Sequence, residues 1–369
     1  MYYPLRFKPV YKDYIWGGRS LEELGKMLPR EGRVAESWEI SAHPNGMSVV
    51  SNGMLAGISL ADAGRKLGAK LLGSQVPESF KHRFPLLVKL IDANDRLSVQ
   101  VHPDDAYAMR HENGESGKNE MWYVVSARPG ARLIAGLAPG VTRDAFAKAI
   151  DDGTCLDLLH TIPVQAGDAI NIPAGLVHAI GEGLVVCEIQ QNADTTYRVF
   201  DYNRRDSNGQ TRPLHVAKAL DVIAFDRPGP VPLLSGLFLR TEGLTRRILV
   251  LNRYFLVEEL QVSGRAAFYS DSSRFRTLTV IAGKGGIAYR SEAGHQLSDP
   301  LFAGDSLLIP ASLGAWELTG NLRLLSSQPS FFARDAAELA KSAGQADTVA
   351  WLDQVGSSGQ IGLDPRPVA

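Results

Sequence analysis

Gly167-Asp168-Ala169-Ile170-Asn171-Ile172-Pro173-Ala174 recurs as Gly304-Asp305-Ser306-Leu307-Leu308-Ile309-Pro310-Ala311, an offset of 304 − 167 = 137 with five of eight positions identical. Each copy reads as a Gly-Asp turn feeding a short apolar strand that proline stops. A common turn-and-strand idiom would produce these letters; so would two copies of one β-module, which also accounts for the spacing. The copies then part: the first continues Gly175-Leu176-Val177-His178, the second Ser312-Leu313-Gly314-Ala315. If the modules are related, an imidazole stands in the first where the second has a methyl group. One working module and one structural module are therefore expected.

Around the repeat, glycine (36) and proline (20) punctuate short apolar runs, at Asn45-Gly46, Asn52-Gly53, Pro129-Gly130, Pro139-Gly140 and Asn208-Gly209. That rhythm predicts a mainly β chain, a sandwich or barrel of antiparallel sheet. Helical patterning is confined to 59–72, an amphipathic stretch capped by Ser59, to 142–159, two short helices capped by Thr142, and to the neighbourhood of 333–341. The 369 residues suit two domains. Beyond Phe331 the chain turns Ala-, Gly- and Ser-rich, and its end, GSSGQIGLDPRPVA, predicts a poorly ordered tail.

Composition removes several function classes. Lys plus Arg number 39 against 40 Asp plus Glu, a net charge of -1, so there is no basic field for a nucleic-acid backbone. With 44% hydrophobic and 21% charged residues, the chain can build a core and is not of the disordered class. Cys155 and Cys187 are too few for a disulfide framework and not spaced as a CxxC pair, which fits a reducing compartment. No apolar run suits a signal peptide or a membrane span, so a cytoplasmic, soluble protein without a membrane partner is expected.

The chemistry concentrates in three stretches. Arg96–His102, RLSVQVH, alternates strictly, which puts Ser98, Gln100 and His102 on one face of a strand. Such a face usually looks at solvent, but a hydroxyl, an amide and an imidazole without a single charge suit a cavity equally well. Lys118 and Glu120 are two apart, hence on one side of an extended chain; in isolation they read as an ion pair at a loop edge. The third stretch, Gly167 to His178, delivers an imidazole after a turn. Singly, a histidine such as His178 is more often an ordinary structural residue; together, Gln100, His102, Glu120 and His178 offer two nitrogens and two oxygens, a set suited to a divalent transition ion such as zinc, and the two imidazoles argue against magnesium or calcium. Glu188 interrupts the apolar run Leu184–Gln190, and Arg198 lies between Tyr197 and Val199; a buried structural ion pair between them is one reading, a polar cavity the other. Lys89 sits alone in the apolar run 85–91, where it either snorkels to a rim or binds an anion.

These residues carry a family resemblance. Tyr14-Ile-Trp-Gly-Gly18, Glu36-Ser-Trp-Glu39, Ser41-Ala-His-Pro-Asn-Gly46, Pro85-Leu-Leu-Val-Lys89, Leu97-Ser-Val-Gln-Val-His-Pro-Asp104, Gly117-Lys-Asn-Glu-Met-Trp-Tyr123, Ile172-Pro-Ala-Gly-Leu-Val-His178 and Asp194-Thr-Thr-Tyr-Arg198 are similar, in order, to the type I mannose-6-phosphate isomerases of the cupin superfamily in their shorter bacterial form. The resemblance spans roughly residues 4–325. It implies two cupin-like (jelly-roll) β-barrel domains with a small helical insertion: a catalytic domain over 1–230, a second, metal-free domain over 231–330, and a helix with a partly disordered tail over 331–369. It also implies one Zn2+ per chain on Gln100, His102, Glu120 and His178, an essential arginine at Arg198, and a sugar phosphate held by Lys89 and Ser98.

The implied reaction interconverts mannose 6-phosphate and fructose 6-phosphate through an enediol, with Lys118 or Glu188 carrying the proton; the sequence leaves that choice open. Two departures stand out. The large helical insertion of longer members is reduced to about 142–159, which leaves the pocket wall on that side open, and the stretch after Phe331 falls outside the resemblance, which leaves an appended function open. Two other functions compete: an oxygenase-type metallo-cupin, against which neutral Gln100 and Lys89 weigh, and a non-catalytic sugar-phosphate binder, against which Lys118, Glu188 and Arg198 weigh. The expected partner is a small sugar phosphate, and the expected state a monomer or homodimer.

Overall fold

The computed structural model describes residues 2–81, 83–205, 208–227, 229–344 and 351–356. Two antiparallel sheets build the first module. One has six strands, in the order Ala169–Ile172, Glu120–Ala127, Leu184–Gln191, Leu86–Ala93, Glu36–Ile40 and Val10–Lys12; the other has five, in the order Tyr197–Phe200, Val99–Val101, His178–Ile180, Arg132–Leu137 and Leu159–Pro163. Ile91, Trp122, Val124, Ile170 and Val186 of the first pack against Leu133, Ala135 and Ile180 of the second. The back of the six-stranded sheet, carrying Leu86, Val88, Met121, Cys187 and Ile189, packs into a core shared with Phe255, Val257, Leu278 and Leu324 of the second module. Both faces of the strands 86–93 and 184–191 are therefore covered, which is why they read as continuous apolar runs rather than alternating ones.

The second module is one nine-stranded antiparallel sheet, dominated by Phe255–Ser270, Arg276–Arg290 and Gly314–Pro329. The N-terminal strand Leu5–Lys8 joins it, with Leu5 opposite Leu308. The architecture is mainly β and cupin-like as expected, with one correction: the sheets do not close into barrels. They remain open layers whose faces are covered by each other and by helices.

Ser59 caps the helix Leu60–Leu67 by accepting a hydrogen bond from the Asp62 amide. Gly68, at φ 51, breaks it from the short helix Ala69–Leu72, so the single helix expected over 59–72 is two. Thr142 caps Arg143–Asp151 in the same manner, and a 3-10 turn, Cys155–Leu158, comes next. Phe146 and Ile150 of that helix, with Ala219 and Ile223 near the helix Val216–Val222, cover the outer face of the five-stranded sheet through Val99, Val101 and Val199. The helix Phe332–Ser342 packs Ala336, Leu339 and Ala340 on Leu237, Ile248 and Leu256. Of the tail expected to be poorly ordered, residues 357–369 lie outside the described residues.

Candidate metal centre and pocket

On the six-stranded sheet Glu120, Trp122, Glu188 and Lys89 share the inner face, because Glu188 stands opposite Trp122 on one side and Lys89 on the other. On the five-stranded sheet His178 stands opposite Gln100, and Gln100 opposite Arg198. Closing the two layers brings the faces together. The regular strand around Gln100 covers only Val99–Val101, shorter than the seven-residue alternation, yet Ser98, Gln100 and His102 all turn inward as that alternation requires.

His102, Glu120 and His178 converge so that one ligand atom from each lies within 4.8 Å of the others, all fully buried. His102 Nε2 is 3.2 Å and His178 Nε2 3.8 Å from the Glu120 carboxylate. Each imidazole is oriented from behind: His102 Nδ1 is 2.9 Å from the Thr195 carbonyl and His178 Nδ1 2.8 Å from that of Leu176. With Nδ1–H donated to a carbonyl, each ring presents an Nε2 lone pair to the centre. Burial keeps both rings neutral: His102 is lowered, with Lys118 adding to it, and His178 is pushed down to about 3, with His102 and Lys118 adding to it. Burial also opposes ionisation of Glu120, but the Lys118 ammonium first of all outweighs it, and the carboxyl stays well below its ordinary value.

Both Glu120 oxygens are buried without a hydrogen bond of good geometry; their contacts are the ion pair with Lys118 and the close approach of the two neutral imidazoles. Buried anionic oxygens left in that state are costly unless a cation completes them. Two neutral Nε2 atoms and an ionised carboxylate are what a divalent transition ion requires, so the residues fit such a metal. Gln100 adjoins the cluster, its Nε2 3.3 Å from His178 Nε2 and its oxygen 3.4 Å from Ser98 Oγ. Turning the amide over would present the oxygen instead.

The loop that delivers His178 is pinned from several sides. Ala174 N donates to Asn119 Oδ1 (3.1 Å) and Gly175 N to the His102 carbonyl (2.9 Å). Gly175 has φ +85, and a Cβ there would meet the Val222 carbonyl at 3.0 Å, so only glycine lets the turn close this tightly.

Beside the cluster lies a cavity of about 320 Å³ lined by Lys89, Ser98, Gln100, Lys118, Glu188 and Arg198, among others. His102, Glu120 and His178 are not part of its lining; they lie behind Gln100 and Lys118, which contact them. Lys118 Nζ is 2.5 Å from Glu120 Oε1 and 3.2 Å from His102 Nε2, so the pair that in isolation reads as a loop-edge ion pair is buried at the cluster. Glu188 accepts from Trp122 Nε1 at 2.9 Å and pairs with Lys89 at 3.1 Å, not with Arg198. Burial, then the Glu120 charge, raises the Glu188 carboxyl despite Lys89. Lys89 does not snorkel: it is 3% exposed, lies 3.7 Å from Glu36 and sits 4.9 Å from the centre of the Trp38 ring. Burial opposes its charge, but Glu188 and Glu36 keep it protonated beyond the ordinary lysine range.

Tyr14, Glu36, Asp194 and Arg212 also line the cavity, and sequence reasoning does not select them. Glu36 and Asp194 stand inside the motifs Glu36-Ser-Trp-Glu39 and Asp194-Thr-Thr-Tyr-Arg198, so a signal for them is present. Arg212 sits in the irregular stretch after the Arg198 strand, where no periodicity can flag it.

Two family models match the chain, "phosphomannose isomerase type I, catalytic domain" over residues 5–123 and "mannose-6-phosphate isomerase, cupin domain" over 245–329. A mannose-6-phosphate isomerase of Streptococcus mutans is 39% identical over 325 residues, 88% of this chain and 98% of that protein. One from Bacillus subtilis is 39% identical over 320 residues, 86% of this chain and 96% of that one. The crystal structure of a Bacillus subtilis mannose 6-phosphate isomerase superposes with a TM-score of 0.80 at 35% identity, covering 88% of this chain and 99% of its own. Sequence, fold and buried cluster agree: the chain belongs to the type I mannose-6-phosphate isomerase family.

Proposed function

We infer that this protein is a metal-dependent aldose–ketose isomerase that interconverts mannose 6-phosphate and fructose 6-phosphate. The observation that carries the reading is the buried His102–Glu120–His178 cluster, joined through Gln100 and Lys118 to a cavity that also holds Glu188 and Arg198. The ion we assign to it is one Zn2+, which those three residues and Gln100 would hold; when bound, it would supply the Lewis acidity that polarises the sugar's carbonyl.

The remaining work falls to the chain's own side chains. A proton must leave C2 and arrive at C1, through an enediol, and return in the opposite direction. Two groups can carry it. Lys118 is adjacent to the ligand atoms, and Glu188 is a carboxyl raised by burial toward the range of a useful general acid–base. Trp122 Nε1 fixes one Glu188 oxygen and Lys89 steadies the other. Arg198 keeps its charge throughout and has a buried Nε without a hydrogen-bond partner, a donor available to the enediolate. Solvent exchange separates the proton carriers: with deuterated water, the variant of the true carrier loses label incorporation at C1 of fructose 6-phosphate together with turnover.

The direct test is formation of fructose 6-phosphate from mannose 6-phosphate before chelation, after it, and with zinc restored. Activity that tracks the metal through this cycle is expected; activity indifferent to the chelator overturns the metal assignment. Oxygen uptake with ferrous ion would favour the oxygenase, and zinc retention without turnover the binder. With no nucleic-acid-binding field in the sequence and no described helix long and apolar enough to cross a membrane, the partner we assign is the sugar phosphate alone.

A further inference from the structure

Residues 331–344 and 351–356 lie beyond the stretch that carries the family resemblance, yet they are built into the molecule. Asp335, buried in the first turn of the helix Phe332–Ser342, accepts from both Nη atoms of Arg274 in the second module, at 2.7 and 2.6 Å. Trp351, Leu352 and Val355 are buried with Leu237, Ile248 and Leu256, and the Gln354 carbonyl accepts from the Gly236 amide at 3.0 Å. The segment then reaches the first module, where the Gly356 carbonyl accepts from Asn171 Nδ2 at 2.9 Å. Gly356 has φ +60, and a Cβ there would meet Asn171 Cβ at 3.0 Å, so glycine lets the two approach.

At 171 the repeat sets an amide where its second copy has the apolar Leu308. Asn171 is 8% exposed and its Oδ1 has no hydrogen-bond partner among the described residues, so asparagine here costs free energy that leucine would not. Its bond to Gly356 is what it gains. Two residues on, Pro173 opens the loop that delivers His178, and the Leu176 carbonyl of that loop orients the His178 ring through Nδ1 at 2.8 Å. A cavity of about 260 Å³ adjoins the loop, walled by Pro173, Gly175, Leu176 and Val177 together with Asn171 and Gly356. On that side the loop lacks close-packed neighbours, so its position depends on hydrogen bonds. These run from Ala174 N to Asn119 Oδ1, from Gly175 N to the His102 carbonyl and from Ala224 N to the Gly175 carbonyl, with the Asn171–Gly356 tie at the root of the loop.

We propose that the segment 351–356 is a strap that positions the metal loop, with Asn171 as the positioning residue that receives it, so that docking of this segment on the second module governs how tightly His178 holds the ion. The proposal rests on the metal-centre reading of the His102–Glu120–His178 cluster.

The test uses the full chain as wild type, Asn171→Leu, Trp351→Ala and the double variant. Zinc Kd is measured by competition with a chromogenic chelator, hydrogen exchange of residues 174–178 is followed in the metal-free protein, and global stability is read from the urea midpoint. Asn171→Leu removes the donor and installs the residue of the second copy. Zinc should bind about 3–10-fold more weakly, the worth of one hydrogen bond in the support of a ligand, while the urea midpoint holds or rises. Amides of 174–178 should exchange faster by a similar factor. Trp351→Ala undocks the segment from the second module and should weaken zinc to the same degree. The double variant should lose no more than either single one, because both cut one connection. Unchanged zinc affinity in Asn171→Leu overturns the proposal, and so does an additive loss in the double variant. A zinc loss that comes only with a matching fall in the urea midpoint marks general destabilisation and overturns it too. Exchange is read without metal, so a wild type that binds no zinc, while its variants still exchange faster at 174–178, sinks the metal reading and leaves the strap standing. Tight zinc with unaltered exchange in the variants sinks the strap alone.

Discussion

Strand register places the two modules in correspondence, and the correspondence inverts their charges. Ile172 stands opposite Glu120 in the first module, while Ile309, its repeat partner, stands opposite Arg276 in the second. Lys89 faces Glu188 across its ladder; the matching pair is Glu258 and Ser326. Glu36 opposite Ile91 is matched by Arg246 opposite Leu260. Glu36, Lys89 and Glu120 have thus become Arg246, Glu258 and Arg276. His178 has become Ala315, and Gln100 has become Tyr269.

What differs is satisfaction. Glu258 accepts from Arg246 Nε at 2.7 Å and pairs with Arg276, which also donates to Ser326 Oγ at 2.7 Å. That network closes on itself, whereas the Glu120 oxygens have no hydrogen-bond partner. A completed buried network fixes a structure; an uncompleted one is where a cation and a substrate enter.

The largest expected effect comes from making the first module resemble the second. His178→Ala should reduce retained metal to background and turnover by about 10³-fold or more, given the several kcal/mol that metal catalysis supplies. Elemental analysis beside steady-state rates decides it, and metal retained at one per chain would remove His178 from the ligand set. Arg198→Ala should leave the metal in place and cost about 10²–10³-fold in kcat, the range seen on removing one oxyanion donor. A variant that instead loses metal would place Arg198 among the structural supports of the cluster.

Much of this contrast is legible in the sequence, for a physical reason. Face alternation and spacing put Gln100, His102, Glu120 and His178 together because a strand exposes every second residue and a turn fixes where the next side chain lands. The repeat flags His178 against Ala315 by simple alignment. Arg276 in place of Glu120 cannot be read that way, because the strands that carry them pair across loops of unequal length, and only the register with Ile172 and Ile309 reveals the match. The helices Asp105–His111 and Val216–Val222 also escape a sequence reading. Each is seven residues long, and Asp104, which caps the first, comes directly after a proline at the end of the alternating stretch. The partner of Glu188 is hidden for a similar cause: Lys89 and Arg198 both alternate inward, and sequence does not say which sheet lies nearer.

A smaller effect should appear in the second module. Glu258→Gln leaves Arg246 and Arg276 without their anion and should destabilise the fold by roughly 3–5 kcal/mol, the usual cost of breaking a buried pair. Metal content should stay at one per chain. The same carboxylate predicts a pH dependence. Burial opposes its charge, yet Arg246 and Arg276 pull it down from 4.5 to about 2. An acid depressed by folding stabilises fully above its unfolded value and loses that contribution as pH falls through the folded one. About 3 kcal/mol should therefore disappear between roughly pH 5 and pH 2. Denaturant midpoints measured down that range should fall more steeply in wild type than in Glu258→Gln; parallel curves would mean that Glu258 is not the source.

The smallest effect is expected from restoring the missing imidazole. Ala315→His places a histidine at the register of His178, but the side chain at 315 is exposed and the position of Glu120 is held by Arg276. A lone exposed imidazole gains no second donor, because the Glu120 register is held by an arginine already paired with Glu258. Stability should change by less than about 0.5 kcal/mol, as for most exposed substitutions. The metal-to-protein ratio should remain one. A ratio of two would show that the second module keeps a latent site and that its inverted charges do not exclude metal. If the ratio does not move, Arg276→Glu is the informative next step: it puts a carboxylate beside Glu258, and the resulting like-charge pair should favour a bound cation only where Ala315→His is also present.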